Sequence, residues 1–329
     1  MSAYVVTGGA GFIGSHVVAA LAARGADVVV VDWLRQDERW RNLAKHELAE
    51  LLTPEELPGW LARHGAAIEA VVHLGANSST TETDVDLIVR QNVRATLDLI
   101  AWCTSAGKRL IYASSAATYG DGSAGFDDDG SSAALARLAP LNAYGWSKHL
   151  VDRRIARLRE RGVPLPPQCA GLKFFNVYGP NEYHKGSMRS VIARNFAGVC
   201  AGEPLRLFRS YRPDYADGGQ LRDFIYVADC ADLVLWLLDH PQVSGLFNVG
   251  TGAARSWLDL GQALFGACRR LPLIEFVPMP PELIDKYQYF TQARTERLRA
   301  AGYTRPFTSL EAGVEDYVRN YLLRPDPYR

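Results

Sequence analysis

The stretch VTGGAGFIGSH, Val6 to His16, joins a β-branched run to a helical pattern. Few folds are open to a chain that passes from strand to helix through glycines at this spacing. Gly8 allows the tight turn, Gly11 lets a pyrophosphate approach the backbone, and Gly14 lets helix pack on strand. The helix N-terminus supplies free N–H groups and a partial positive charge. Asp32 closes the next strand, DVVVVD, at about the 20-residue offset from which a carboxylate reaches a ribose hydroxyl. Asp32 favours an unphosphorylated ribose and hence NAD. Arg35, Arg39 and Arg41 follow closely, and an arginine there holds a 2′-phosphate. NADP is the cofactor taken, through Arg39, with NAD left open.

The first half of the chain alternates short apolar runs (YVVT, DVVVVD, AVVHLG, RLIYASS, AGLKFFNVYG) with helical patterns. Such alternation implies an α/β fold, a doubly wound parallel sheet of the Rossmann type covered on both faces. Beyond about Tyr178 the pattern is mixed, so residues 178–329 are read as mainly a smaller mixed α/β substrate-binding lobe. Residues 1–177 form the dinucleotide-binding domain, and strands around 224–251 return to it. DLIVRQNVRATLDLIAWC reads as one long helix, and DGSAGFDDDGSSAALARLAP and RSYRPDYADGGQ as exposed loops. The formal net charge is zero, which argues against a nucleic-acid binder or a basic membrane-surface protein. No apolar run is long enough to span a bilayer, and the amino end enters a strand directly rather than a leader. Five scattered cysteines without a CxxC pair suit reduced thiols in the cytoplasm, and no metal site is expected.

AYGWSKH, Ala143 to His149, places Tyr144 and Lys148 four residues apart on one helix face. A lysine cation beside a phenol favours phenolate, lowering a pKa that starts near ~10. Upstream, YASSAATYG puts Ser114 and Ser115 at the carboxyl end of a strand, where open α/β sheets place their sites. A serine hydroxyl there can bond the oxygen from which the tyrosine moves a proton.

Glycine turn, strand-end serine and Tyr-x-x-x-Lys, in this order, resemble the extended short-chain dehydrogenase/reductases, which act on nucleotide sugars. The resemblance covers essentially the whole chain, including QNVRATLDLI, RDFIYVAD and FNVGTG. It implies Ser115, Tyr144 and Lys148 as catalytic residues. It also implies cofactor contacts from Phe12, Ile13, Gly75, Ala76, Asn77, Ser78, Ser79, Asn92 and Val177. Asn176, Ser187, Arg194, Phe208, Arg222 and Tyr287 fall on substrate positions, Arg222 as the diphosphate contact.

Dehydratases of this family carry an Asp–Glu pair after the active serine; here Ala116 and Ala117 follow, so elimination is disfavoured. HKGSM, with SSTTE, PLNAYGWSK and YQYFTQA, resembles the branch that inverts C6″ of ADP-glycero-manno-heptose for lipopolysaccharide core. There the lysine of HKGS, Lys185 here, is a second acid/base. The resemblance further implies an ADP-heptose substrate, a tightly bound cofactor that is not consumed, and a homo-oligomer, a pentamer in the nearest branch. A UDP-hexose 4-epimerase is the alternative and would not need Lys185. The chain departs from the pattern at Leu74, at Arg194, in the longer segment 209–221 and in the acidic stretch Asp127 to Asp129. These leave the exact sugar nucleotide open.

Overall fold

The computed structural model describes residues 3–284 and 287–329. The strands, in chain order, are β1 Ala3–Thr7, β2 Asp27–Val31, β3 Glu50–Leu52, β4 Ile68–His73, β5 Arg109–Ser115 and β6 Cys169–Phe174. They continue as β7 Asn176–Tyr178, β8 Leu205–Phe208, β9 Leu221–Tyr226, β10 Gly245–Val249, β11 Ala254–Ser256 and β12 Ile274–Val277. The main sheet has seven strands in the order β10-β6-β5-β4-β1-β2-β3, and every pairing in it is parallel. This is the doubly wound α/β architecture that the alternating pattern implies.

Both faces of this sheet are buried, because successive side chains of a strand point to opposite sides. Val6, Val28, Val30, Val72 and Ile111 pack with Val17, Leu21, Val234 and Leu237 of helices Phe12–Ala22 and Val227–Asp239. Val5, Val29, Val31, Val71 and Leu110 pack on the other side with Leu99, Ile100, Val151 and Ile155 of helices Ala95–Ser105 and Ala143–Glu160. The chain leaves β1 toward β2 on one side and later returns to β4 on the other. That reversal opens a crevice at the carboxyl edge, where Thr7 pairs with His73 and Ser115 with Phe174. The second lobe holds β11-β9-β7 and β12-β8 around a core that includes Phe224, Leu260, Phe265, Val314 and Tyr317.

Four local features differ from the sequence reading. Strand β3 is only three residues long and too short to register as an apolar run. Of the segment 224–251, only β10 enters the main sheet as a strand, whereas β9 pairs with β7 and β11. The single long helix is interrupted by a π-helical turn, Val89–Arg94, which contains Asn92. The acidic segment is not simply exposed. Asp128 is buried, its carboxylate accepting from the Asn248 backbone N–H at 2.8 Å, while Phe126 and Leu135 are also buried.

The glycine turn is fixed by close contact. A Cβ on Gly14 would stand 2.0 Å from the Gly8 carbonyl oxygen, and one on Gly8 would stand 2.6 Å from the Gly75 nitrogen. Gly8 also has φ 67°, in the left-handed region. Gly14→Ala is therefore expected to destabilise the protein by about 1–3 kcal/mol, measured as a lowered urea midpoint.

Candidate active site

Three strand ends and one helix assemble the site. The helix Ala143–Glu160 starts at Asn142, whose side-chain oxygen accepts from the Gly145 N–H at 2.8 Å. This cap puts Tyr144 and Lys148 in the first turns, facing the end of β5. A Cβ on Gly145 would lie 2.7 Å from the Ala117 carbonyl, so the helix sits tight on the turn after Ser115. Ser115 caps that turn by accepting from the Ala117 N–H at 3.1 Å. Its hydroxyl also lies beside the Tyr144 phenol, favouring the ionised form.

Lys148 is buried and donates to the Ala113 carbonyl at 2.9 Å. Burial pulls its pKa down to about 8, opposed by the Asp152 carboxylate. Tyr144 shifts the other way from the expectation. Burial raises its pKa and outweighs the Ser115 contact. The lysine is engaged with a backbone oxygen, so spacing on a helix face did not by itself deliver a lowered phenol.

The cradle fits a dinucleotide. The helix Phe12–Ala22 has no side-chain cap and no acidic residue in its first turn, so nothing competes with a bound anion there. A Cβ on Gly11 would meet only the turn itself, at 3.0 Å from the Gly8 oxygen. Asp32 accepts from the Ala10 and Trp33 N–H groups at 3.0 and 2.8 Å, and burial raises its pKa. Arg39 spans Asp37 with two bonds, at 2.8 and 2.7 Å, and stands 3.9 Å from Asp32. The acid expected to meet the ribose and the arginine expected for a 2′-phosphate are thus both at this edge. Gly75, Ala76, Asn77, Ser78 and Ser79 continue β4 across from the turn, and Ile13 and Val177 pack where the two lobes meet.

Asn92, expected beside the cofactor, is bonded to two parts of the site. Its amide oxygen accepts from the Asn77 N–H at 2.8 Å, and its amide donates to the Asn77 carbonyl at 2.9 Å and the Ser147 hydroxyl at 3.0 Å. Ser147 in turn donates to the Tyr144 carbonyl at 2.7 Å. The π turn thus clamps the cofactor-side loop to the tyrosine helix. Behind it, His73 bridges Thr7 at 2.6 Å and Thr96 at 2.9 Å, held neutral by burial with its pKa lowered to about 3.

Lys185 lies on the turn Tyr183–Met188, its ammonium 5.3 Å from the Phe12 ring centroid at the start of the phosphate helix. Burial lowers its pKa, opposed by Glu182. Several residues without a sequence signature seat this segment. Asn42 donates to the Ala10 and Asn181 carbonyls at 2.8 and 3.2 Å, and Asn181 donates to the Ser15 hydroxyl at 3.0 Å. Tyr183 donates to the Pro327 carbonyl at 2.9 Å, Arg329 donates its backbone N–H to Asn181 at 3.0 Å, and Lys45 donates to the Tyr328 carbonyl at 2.6 Å.

On the second lobe, the Arg222 guanidinium lies 5.2 Å from the Tyr287 ring and 5.9 Å from Trp257, with Phe208 edge-on to Tyr287 at 6.2 Å. These three expected substrate residues meet. The segment 209–221 folds over them through Tyr289, which accepts from the Tyr211 N–H at 2.9 Å and lies under Arg212 at 4.6 Å. Asn176, Ser187 and Arg194 are exposed. Among the described residues no cluster of three metal-ligating side chains occurs, the five cysteines are free, and no helix is long and apolar enough to cross a membrane.

Residues 4–250 match the model of the NAD dependent epimerase/dehydratase family. The chain belongs to this family. It uses a nicotinamide cofactor, as family members do. It is 51% identical over 330 residues, 99% of both chains, to an ADP-L-glycero-D-manno-heptose-6-epimerase of Nitratidesulfovibrio vulgaris (strain DP4). It resembles the crystal structure of the Helicobacter pylori ADP-L-glycero-D-manno-heptose-6-epimerase with TM-score 0.80 and 28% identity, covering 97% of this chain and 96% of that one. The Thermus thermophilus UDP-glucose 4-epimerase in complex with NAD matches with TM-score 0.73 and 26% identity, covering 96% and 97%.

The Lys148 cation is present below a pKa of about 8 and lost above it. Turnover is therefore expected to fall as pH rises through that value. Lys148→Arg, charged up to pH ~12, should carry the alkaline limb out of the measurable range, read from kcat/KM against pH.

Proposed function

We propose that this epimerase inverts C6″ of ADP-D-glycero-D-manno-heptose to give the L-glycero epimer, a donor for lipopolysaccharide core. The observation that carries the reading is a second amine, Lys185, half-buried on a segment bonded through Asn42 to the glycine turn. The 51% identity to a relative of that name supports the same substrate.

The centre to be inverted is a secondary alcohol whose C–H is not acidic, so direct deprotonation is closed. The glycine turn and the Asp32 edge would hold a nicotinamide, which would supply hydride exchange at that carbon. Tyr144 receives the hydroxyl proton as the ketone forms, with Ser115 bonding the same oxygen and Lys148 supporting the phenolate. The ketone is planar and carries no configuration. Lys185 gives or takes the proton when the oxygen lies on the other side, so Tyr144 and Lys185 exchange roles with direction. Arg222, stacked on Tyr287, holds the diphosphate while the sugar presents either face. The cofactor is NADP, with Arg39 toward the 2′-phosphate, and the enzyme works as a cytoplasmic homo-oligomer, a pentamer in this reading.

Purified enzyme given ADP-heptose without added cofactor should form the C6″ epimer, and deuterium on that carbon should stay there. Label lost to solvent would sink the mechanism. Lys185→Met should lower kcat by about 10²–10⁴-fold, the usual weight of a general acid/base. Unchanged turnover would favour a UDP-hexose 4-epimerase. The mass of the copurifying nucleotide decides between NADP and NAD.

A further inference from the structure

Behind the Tyr144–Lys148 face lies a pair of buried charges that the proton transfers do not use. Asp152 follows Lys148 by one helical turn and is 2% exposed. Its carboxylate accepts from the Ser114 hydroxyl at 2.6 Å and the Tyr112 hydroxyl at 3.2 Å. The Lys173 ammonium, on β6 and 0% exposed, stands 3.4 Å from it. Lys173 also donates to the Thr118 hydroxyl at 2.6 Å and lies 4.4 Å from the Tyr119 ring centroid.

Stability does not explain such a pair. Two ions taken out of water lose hydration that their attraction barely returns, and apolar replacements are often as stable. What the pair touches is more telling. Tyr112 and Ser114 flank Ala113, whose carbonyl holds Lys148. Ser114 precedes Ser115, and Thr118 and Tyr119 end the turn that Ser115 caps. Each anchor of Asp152 and Lys173 therefore lies within a few residues of a group that meets Tyr144 or Lys148.

The charges around Lys148 point the same way. His73 faces it from β4 and His149 follows it on the helix, and burial keeps both neutral, with pKa values near 3 and 4. Burial raises the pKa values of Tyr144, of Tyr112 and of the Cys169 thiol on β6. Arg159 acts on Tyr112 and Cys169 from further along the helix, and Asp128 acts on Lys173 from its far side. Asp152 is the acid whose field reaches Lys148.

We propose that Asp152, balanced by Lys173, is a positioning residue that supplies the counter-charge for Lys148 and pins Ser115 and the Ala113 carbonyl against the tyrosine helix. The inference rests on Tyr144, Ser115 and Lys148 being the reacting face. Asp152→Asn keeps the shape and a hydroxyl acceptor but removes the charge. In enzyme labelled with 13C at lysine Cε, the Lys148 titration should move down by about one pH unit, and the alkaline limb of kcat should move with it. KM should change less than kcat. If Asp152→Asn leaves Lys173 uncompensated and fails to fold, Asp152→Asn combined with Lys173→Met removes both buried charges and should show a smaller downward shift, because the lost cation had opposed the carboxylate. An unmoved Lys148 titration in either folded variant overturns the proposal. The NMR titration needs no substrate, so it stands apart from epimerisation of ADP-heptose by the unaltered enzyme, whose absence would overturn only the functional reading.

Discussion

Backbone meeting backbone at Gly8 is the constraint from which the rest follows. The Gly8 oxygen fills the space a side chain on Gly14 would need, and Gly75 fills the space beside Gly8. Strand β1, the phosphate helix and the end of β4 are thereby brought to one point. Only at such a point can a helix terminus, a ribose-binding acid and a loop from the neighbouring strand address one extended ligand. The wide parallel sheet, apolar on both faces, is what holds these strand ends level.

Around that point buried polar side chains act as props between elements. Asn92 holds Asn77 and Ser147, His73 joins Thr7 to Thr96, and Asn42 joins the phosphate turn to the Lys185 segment. Buried groups of this kind carry a desolvation cost unless bonded, and here they are bonded to the elements that bear Tyr144 and Lys185. Interruption of a helix by a π turn at Asn92 belongs to the same pattern, since such turns re-aim a side chain.

Local periodicity made much of this legible. Glycine spacing, strand-end serine and the Tyr144–Lys148 face are all short-range patterns, and the doubly wound sheet follows from apolar runs alternating with helices. What was misread depends on distant partners. Asp128 looked like part of an exposed acidic loop because its partner, Asn248, is remote in sequence. The raised pKa of Tyr144 comes from burial, which spacing does not report. Strand β3 has too few residues to carry a pattern. Asp152 had a hint in the sequence, four residues past Lys148, but its meaning needs Lys173 from another strand.

The strap formed by Pro327, Tyr328 and Arg329 has a consequence for the order of assembly. It bonds to Tyr183, Asn181 and Lys45, so the loop bearing Lys185 is seated by residues made nearly 150 positions later, the separation between Asn181 and Arg329 being 148. A chain leaving the ribosome can close its sheet and form its glycine turn while this loop still lacks its anchor. The glycine-turn side of the crevice is thus completed early, and the turn that bears Lys185 is fastened last.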